Sequence, residues 1–282
     1  MKNIVIGIDF SEGSINALKH GISLGNRFKA KLHLVWCCTP GSVIGLSSDS
    51  IETLTKKAKL EMKELIREYD KELTESRMTP VFLEGKPHLK LTEYAAGLKD
   101  AMIVIGTHGM SGFEEFFIGS NAYKTILVSQ VPVLSVRHDV SVNKELTDIL
   151  VHIDSSVDSL QKLPIAIELA KAYAAKIWLV GVLVNECAEA KKAIEVLMEK
   201  SSRKCERKGV RYSTDYFKVK HSAPCEVIAY AKKKKINLMV VLKDQELEMS
   251  SFFSGSFTKQ IIKRSTVPVC TIPNPNLSLV TK

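Results

Sequence analysis

Residues 106–120 read GTHGMSGFEEFFIGS, with glycine at 106, 109, 112 and 119 and a serine directly after the last. Four glycines between 106 and 119 cost backbone entropy, so the stretch needs left-handed dihedrals or a backbone free of side chains. Anion binding is one chemistry that uses such a backbone. Amides that a phosphate can approach closely, followed by the free N-terminus of a helix over the apolar segment from Ala122 to Val128, form a cradle. A loop that only turns the chain between strand and helix has the same composition. His108 and Ser120 add hydrogen-bonding groups. The catalytic alternatives are a general acid at His108 and a phosphoryl acceptor at Ser120.

The elements that would position these groups alternate along the chain. The runs 3–9 (NIVIGID), 31–36 (KLHLVW), 79–85 (TPVFLEG), 101–106 (AMIVIG) and 131–137 (VPVLSVR) read as strands. Between them Ile15, Leu18 and Ile22 keep helical spacing, as do Ile51, Leu54, Ala58, Leu65, Tyr69 and Leu73 on a long charged helix. Apolar strands separated by helices predict a parallel sheet covered on both faces. The strand 101–106 ends at Gly106, on the carboxyl edge where open α/β sheets bind ligands. Asp9 ends the first strand, and its spacing to Glu12 also fits a capping box.

The second half of the chain repeats the first. FKAKLHLVWC (28–37) returns as YAAKIWLVGV (173–182), IGIDFS (6–11) as VHIDSS (151–156), and IGSNAYKTILVSQVPVLSV (118–136) as SGSFTKQIIKRSTVPVCTI (254–272). The offset is 145 residues from Asp9 to Asp154 and 136 from Gly119 to Gly255, so the second copy is nine residues shorter. Much of that difference is expected after the second strand, where the first copy carries CTPGSVIGLSSDS. At 282 residues the chain suits two domains, expected at 1–140 and 146–275 and joined near SVNKELTD (141–148).

Gly106, two residues, Gly109, nine residues, Gly119 and Ser120 match the nucleotide motif of the universal stress protein family. Asp9 stands where that family has an aspartate after its first strand, and VPVLSV resembles its last strand. The resemblance covers about 2–137 and again 148–272. It implies an α/β fold of two tandem domains, each a five-stranded parallel doubly wound sheet with helices on both faces. It further implies that ATP, with or without Mg, sits in the first copy. Gly7, Ile8 and Asp9 would contact the base and ribose, Trp36 or Cys37 would supply backbone contacts, and Ile105, Gly106, His108, Gly109, Gly119, Ser120 and Asn121 would line the phosphates. Met110 stands where many relatives have a basic residue. The function implied is a cytoplasmic stress-response regulator that couples adenine-nucleotide occupancy to an unidentified protein partner, with a slow ATP hydrolase or autophosphorylating enzyme as the alternative. The two copies are expected to form an internal pseudo-dimer through VPVLSV and VPVCTI, and a homodimer is a further step.

Several classes are disfavoured. There is no GxxxxGK[ST] sequence and no obvious pair of metal-binding acids beside the cradle, Glu114 and Glu115 reading as easily as solvated side chains, so holding ATP is favoured over consuming it and catalysis stays open. The second copy has Leu242 and Gln245 where the first has Gly106 and Gly109, and Asp244, Glu246 and Glu248 join the same loop. It reads as a degenerate site with a structural or regulatory role. Residues 1–140 hold 17 of the 40 Lys/Arg and 16 of the 31 Asp/Glu, so nearly all of the net charge of +9 lies in the second half. Lys232–Lys235 with Arg203, Lys204, Arg207 and Lys208 form either a basic patch or solvated helix ends. Without interleaved aromatics, nucleic acid is not the expected partner. No run of eighteen apolar residues suggests a membrane span. The six cysteines form no CxxC pair and are expected as reduced thiols.

Overall fold

In the computed structural model, which describes residues 1–39, 48–107, 118–142, 146–184, 187–243 and 256–274, the apolar runs of the first half form five strands. They are β1 (Asn3–Gly7), β2 (Lys31–Cys38), β3 (Met78–Glu84), β4 (Ala101–Gly106) and β5 (Val133–Val136). The helices between them are α1 (Glu12–Phe28), α2 (Ser48–Tyr69), α3 (Pro87–Ala96) and α4 (Ser120–Val128). The strands lie in the order β3-β2-β1-β4-β5 and every pair among them is parallel. The first five residues of β4 and all four of β5 are buried in succession. Only a sheet covered on both faces buries consecutive side chains in this way.

Three boundaries differ from the sequence expectation for physical reasons. β1 stops at Gly7, and after Ile8 N–H reaches Val35 O at 2.9 Å the chain turns through Phe10 at φ 64°. β5 begins only at Val133, because Pro132 has no amide to donate and contributes its carbonyl to Ile103 N instead. α2 ends at Tyr69, and Leu73 follows a short 3-10 turn over Asp70–Glu72. Ala58, Leu65 and Tyr69 are buried as the helical spacing predicts, whereas Leu54 is exposed.

The chain splits into two units, Met1–Val142 and Asn143–Lys282, and the second repeats the plan. Its strands are β6 (Asp148–Ile153), β7 (Lys176–Leu183), β8 (Tyr212–Lys218), β9 (Leu238–Leu242) and β10 (Val269–Ile272). Its helices are α5 (Leu163–Tyr173), α6 (Ala188–Arg207), α7 (Ala223–Lys233) and α8 (Phe257–Arg264). The parallel order β8-β7-β6-β9-β10 is that of the first unit strand for strand. Even the strained backbone recurs: Lys29 after α1 and Ala174 after α5 both have φ 52°, and Asp100 and Lys235, ahead of β4 and β9, have φ 53° and 54°. One element is altered. The stretch matching the start of α1 is a 3-10 helix, Val157–Lys162, and α5 begins only with Leu163 and Pro164. A proline has no amide for the preceding turn and fits the first turn of an α-helix, so it resets the start.

Candidate functional site

In the first unit β2 lies on one side of β1 and β4 on the other, so the loops leaving β1 and β4 part at their carboxyl ends. A cleft of about 360 Å³ opens there. Gly7, Ile8 and Asp9 line it from the end of β1, and Val35, Trp36 and Cys37 from β2. Ile105, Gly106 and Thr107 approach from β4, facing Gly119, Ser120 and Asn121 at the start of α4. Gly119 N–H donates to Thr107 O at 2.7 Å and Thr107 N–H to Val136 O at 2.9 Å, which ties the end of β4 to the beginning of α4. Of the residues expected at the site, only His108 and Gly109 fall outside the described residues.

The polar groups are placed by local hydrogen bonds. Asp9 is not the helix cap. Ser11 is, its Oγ accepting from Ser14 N at 3.3 Å, and no Asp9–Glu12 capping box forms. Asp9 Oδ1 instead accepts from Ser11 N at 3.0 Å and from Ser11 Oγ at 2.5 Å. This fixes the carboxylate of an exposed residue at the rim of the cleft. Burial pushes the Cys37 thiol up to about 11, so it stays protonated and weakly nucleophilic at neutral pH.

Two glycines have steric reasons of their own. A Cβ on Gly106 would lie 2.5 Å from the carbonyl carbon and oxygen of Gly13, so the close packing of β4 on the start of α1 already demands glycine there. A Cβ on Gly7 would sit 3.3 Å from Ile105 Cγ2 and Leu91 Cδ2. Gly119 is the N-cap of α4 with no side-chain cap hydrogen bond, and it lines the cleft together with Ser120 and Asn121 of the first turn. No lysine or arginine lines the cleft among the described residues, and Asp9 is the one carboxylate. Negative charge placed here meets backbone dipoles rather than ammonium groups.

Several lining residues carry no motif. Ser14 comes from the first turn of α1, Thr125 from the interior of α4, and Pro87 and Leu91 from α3, which packs on α4. Thr107, directly after Gly106, was the most accessible signal in the sequence.

The second unit has a cleft of about 400 Å³ in the corresponding place. Leu242 ends β9 where Gly106 ends β4. Ser256 caps α8, its Oγ accepting from Lys259 N at 3.3 Å, so the helix terminus left open in the first unit is closed here by the chain itself. Asp154 keeps the turn geometry of Asp9, accepting from Ser156 N at 2.8 Å. Gln245 and Gly255 lie outside the described residues. Among the basic residues of this unit, Arg203 pairs with Glu199 at 2.5 Å and Lys234 with Asp215 at 3.5 Å. Lys204, Arg207, Lys232 and Lys233 occupy last turns of helices, where the dipole favours them. All six cysteines are free thiols. Among the described residues no helix is long and apolar enough to cross a membrane.

Comparison with known proteins agrees with this fold. A universal stress protein of Methanocaldococcus jannaschii is 32% identical over 139 residues, which is 48% of this chain and 82% of that protein. Another, from Bacillus subtilis, is 28% identical over 145 residues, 48% of this chain and 97% of its own. The crystal structure of a universal stress protein from Archaeoglobus fulgidus has the same fold over 96% of this chain and 98% of its own, with a TM-score of 0.78 at 18% identity. The sequence profile of the universal stress protein family matches twice, over residues 1–137 and 145–273. The chain belongs to the universal stress protein family, with two copies of the family's domain in tandem.

Proposed function

We propose that the protein is a cytoplasmic stress-response regulator that holds one ATP, with or without Mg, in the cleft of its first unit. The observation that carries this reading is the uncapped start of α4, which faces a cleft of about 360 Å³ across from Asp9. The phosphates would lie against the amides of Ser120 and Asn121, where a helix N-terminus favours anions. Base and ribose would lie along Gly7–Asp9 and Val35–Cys37, with Asp9 accepting hydrogen bonds from the ribose. His108 and Gly109, which the family resemblance implies at the phosphates, lie outside the described residues.

Holding is favoured over turnover on chemical grounds. Phosphoryl transfer needs charge neutralisation around the leaving phosphate and a group that positions the nucleophile. Among the described lining residues there is no cation, and Asp9 is the single carboxylate that Mg could use. Nucleotide occupancy would then act by changing what a protein partner meets at the surface. The second unit, with its helix terminus capped and Leu242 in place of a glycine, would serve a structural or regulatory role. The test is mass spectrometry of the small molecules released when the purified protein is denatured. ATP at about one equivalent supports the reading. ADP with release of phosphate on incubation would favour the hydrolase, and no adenine nucleotide together with none bound on addition would overturn the proposal.

A further inference from the structure

The positive charge of the second unit is gathered at one edge of its sheet. Its strands are all parallel, so the helices that return the chain end beside the starts of the strands, opposite the cleft. Every one of those helix ends is basic: Lys171 on α5, Lys204 and Arg207 on α6, Lys232 and Lys233 on α7, Lys263 and Arg264 on α8. Lys208 follows α6 and Lys235 follows α7. All are exposed except Lys204, which is half-buried.

Helix dipoles do not require this much charge. A helix C-terminus carries about half a negative charge, which one cation already outweighs. The first unit, built on the same plan, has only Arg27 and Arg67 in the last turns of α1 and α2 and no basic residue in those of α3 and α4. Nor do carboxylates cancel it. Asp148, Asp215 and Glu199 are matched by Lys176, Lys234 and Arg203, and none of the helix-end cations named above is in an ion pair among the described residues. Glu206, which accepts from Tyr212 OH at 2.5 Å, is the one acid in those last turns.

The surrounding chemistry narrows the partner. Trp178 has Lys176 Nζ 3.8 Å and Lys234 Nζ 4.8 Å from its ring centre, so its face is not open for stacking an unpaired base. No large apolar side chain is exposed in those last turns, which leaves nothing to insert into a bilayer. Lysines predominate, and as point charges they suit phosphates at varied positions rather than fixed bidentate pairs. A nucleic-acid duplex presents about one negative charge per 1.7 Å of axis and releases condensed counterions when cations replace them, a driving force that an acidic peptide lacks. We propose that this edge of the second unit docks on the phosphate backbone of duplex nucleic acid without reading its bases. Such binding needs no interleaved aromatics, so their absence from the sequence does not weigh against it. The surface is independent of the nucleotide assigned to the first unit.

The test is fluorescence anisotropy of a labelled DNA duplex of about 20 base pairs, titrated with the full chain across a range of salt concentrations. Saturable binding, equal for two unrelated sequences, is expected, with log K falling against log salt at a slope of about −4 or steeper. Lys232→Gln, Lys233→Gln and Lys235→Gln together should weaken binding about tenfold or more and make the slope shallower by about 3. Lys171→Gln with Lys263→Gln, at two other helix ends, should make it shallower by about 2 and covers the case in which the triple variant fails to fold. Arg67→Gln in the first unit should leave binding unchanged. The proposal is overturned if the duplex does not bind at low salt, if the slope is flat, or if one sequence is strongly preferred. It is equally overturned if a folded helix-end variant binds as the parent does, or if polyglutamate or phosphatidylserine vesicles displace the duplex at equal anionic charge.

Discussion

The two units share strand order, backbone strain and the aspartate turn at Asp9 and Asp154, yet their clefts are finished in opposite ways. In the first, glycine at 7, 106 and 119 leaves backbone exposed to the cleft. In the second, His152, Leu242 and Ser256 supply side chains at or next to the matching positions. The lesson is that the phosphate site proposed for the first unit is made by what is left out. Restoring side chains converts an open helix terminus into a capped one and an empty floor into a polar cluster. The fold does not notice, because the substitutions lie at the carboxyl edge of the sheet and the strands behind them stay buried.

The most disruptive way to break the comparison is to move a residue of the second unit into the first. Gly106→Leu copies Leu242, but its Cβ would meet the Gly13 backbone at 2.5 Å. The second unit escapes this clash where its 3-10 turn, Val157–Lys162, replaces the start of α1. Overpacking of this kind costs about 1–3 kcal/mol or more. Urea denaturation should show that loss together with loss of ATP binding, and a variant of native stability would refute the packing account.

Acid should weaken both units through different histidines. His20 in α1 is buried, its Nε2 3.5 Å from Val140 O, and burial lowers its pKa to about 4. A folded value below the usual 6.5 means the neutral ring is preferred, so its stabilisation is complete above pH 6.5 and is lost as pH falls toward 4. The loss is at most roughly 3 kcal/mol. His152 acts in the same sense in the second unit. Denaturation between pH 7 and 4 should be less pH-dependent in His20→Gln, and an unchanged profile would count against this assignment.

A finer change sharpens the role of the helix terminus. Gly119 has φ −53° and ψ 138°, which any residue can adopt, so Gly119→Asp should fold and cap α4 from within. Its carboxylate would take the amides proposed to hold phosphate and weaken ATP about tenfold or more. Titration calorimetry measures this, and undiminished affinity would place the phosphates elsewhere. The smallest effect belongs to Ser256→Ala. It removes the cap on α8 at a cost of about 1 kcal/mol in thermal unfolding and should leave ATP affinity unchanged. A change in that affinity would tie the second unit to the nucleotide.

Much of this was readable in the sequence because it rests on period and spacing. The strands of the first unit, the repeat and the glycine spacing are local patterns, and the five strand cores of that unit appear where the apolar runs place them. Other features depend on three dimensions. Ser11 displaces Asp9 as the cap because the chain turns at Phe10 and carries the aspartate back over the serine amide. Pro87 and Leu91 reach the cleft from α3, which no motif links to the glycines. The reason for Gly106 is a contact with Gly13, ninety-three positions earlier in sequence. In the second cleft Lys162 Nζ lies 3.3 Å from His152 Nε2, a pair that could have been found by carrying the offset of 145 back to Gly7 and Ala17. Their meeting depends on the 3-10 turn ahead of Pro164, which places Lys162 under the sheet edge.

The central claim is that the open helix terminus of the first unit, and not its capped counterpart, holds the nucleotide. Calorimetric titration of nucleotide-free protein with ATP tests it most directly. One site per chain, weakened by Gly119→Asp and untouched by Ser256→Ala, is the predicted result. Two equal sites per chain, or one site indifferent to Gly119→Asp, would contradict it.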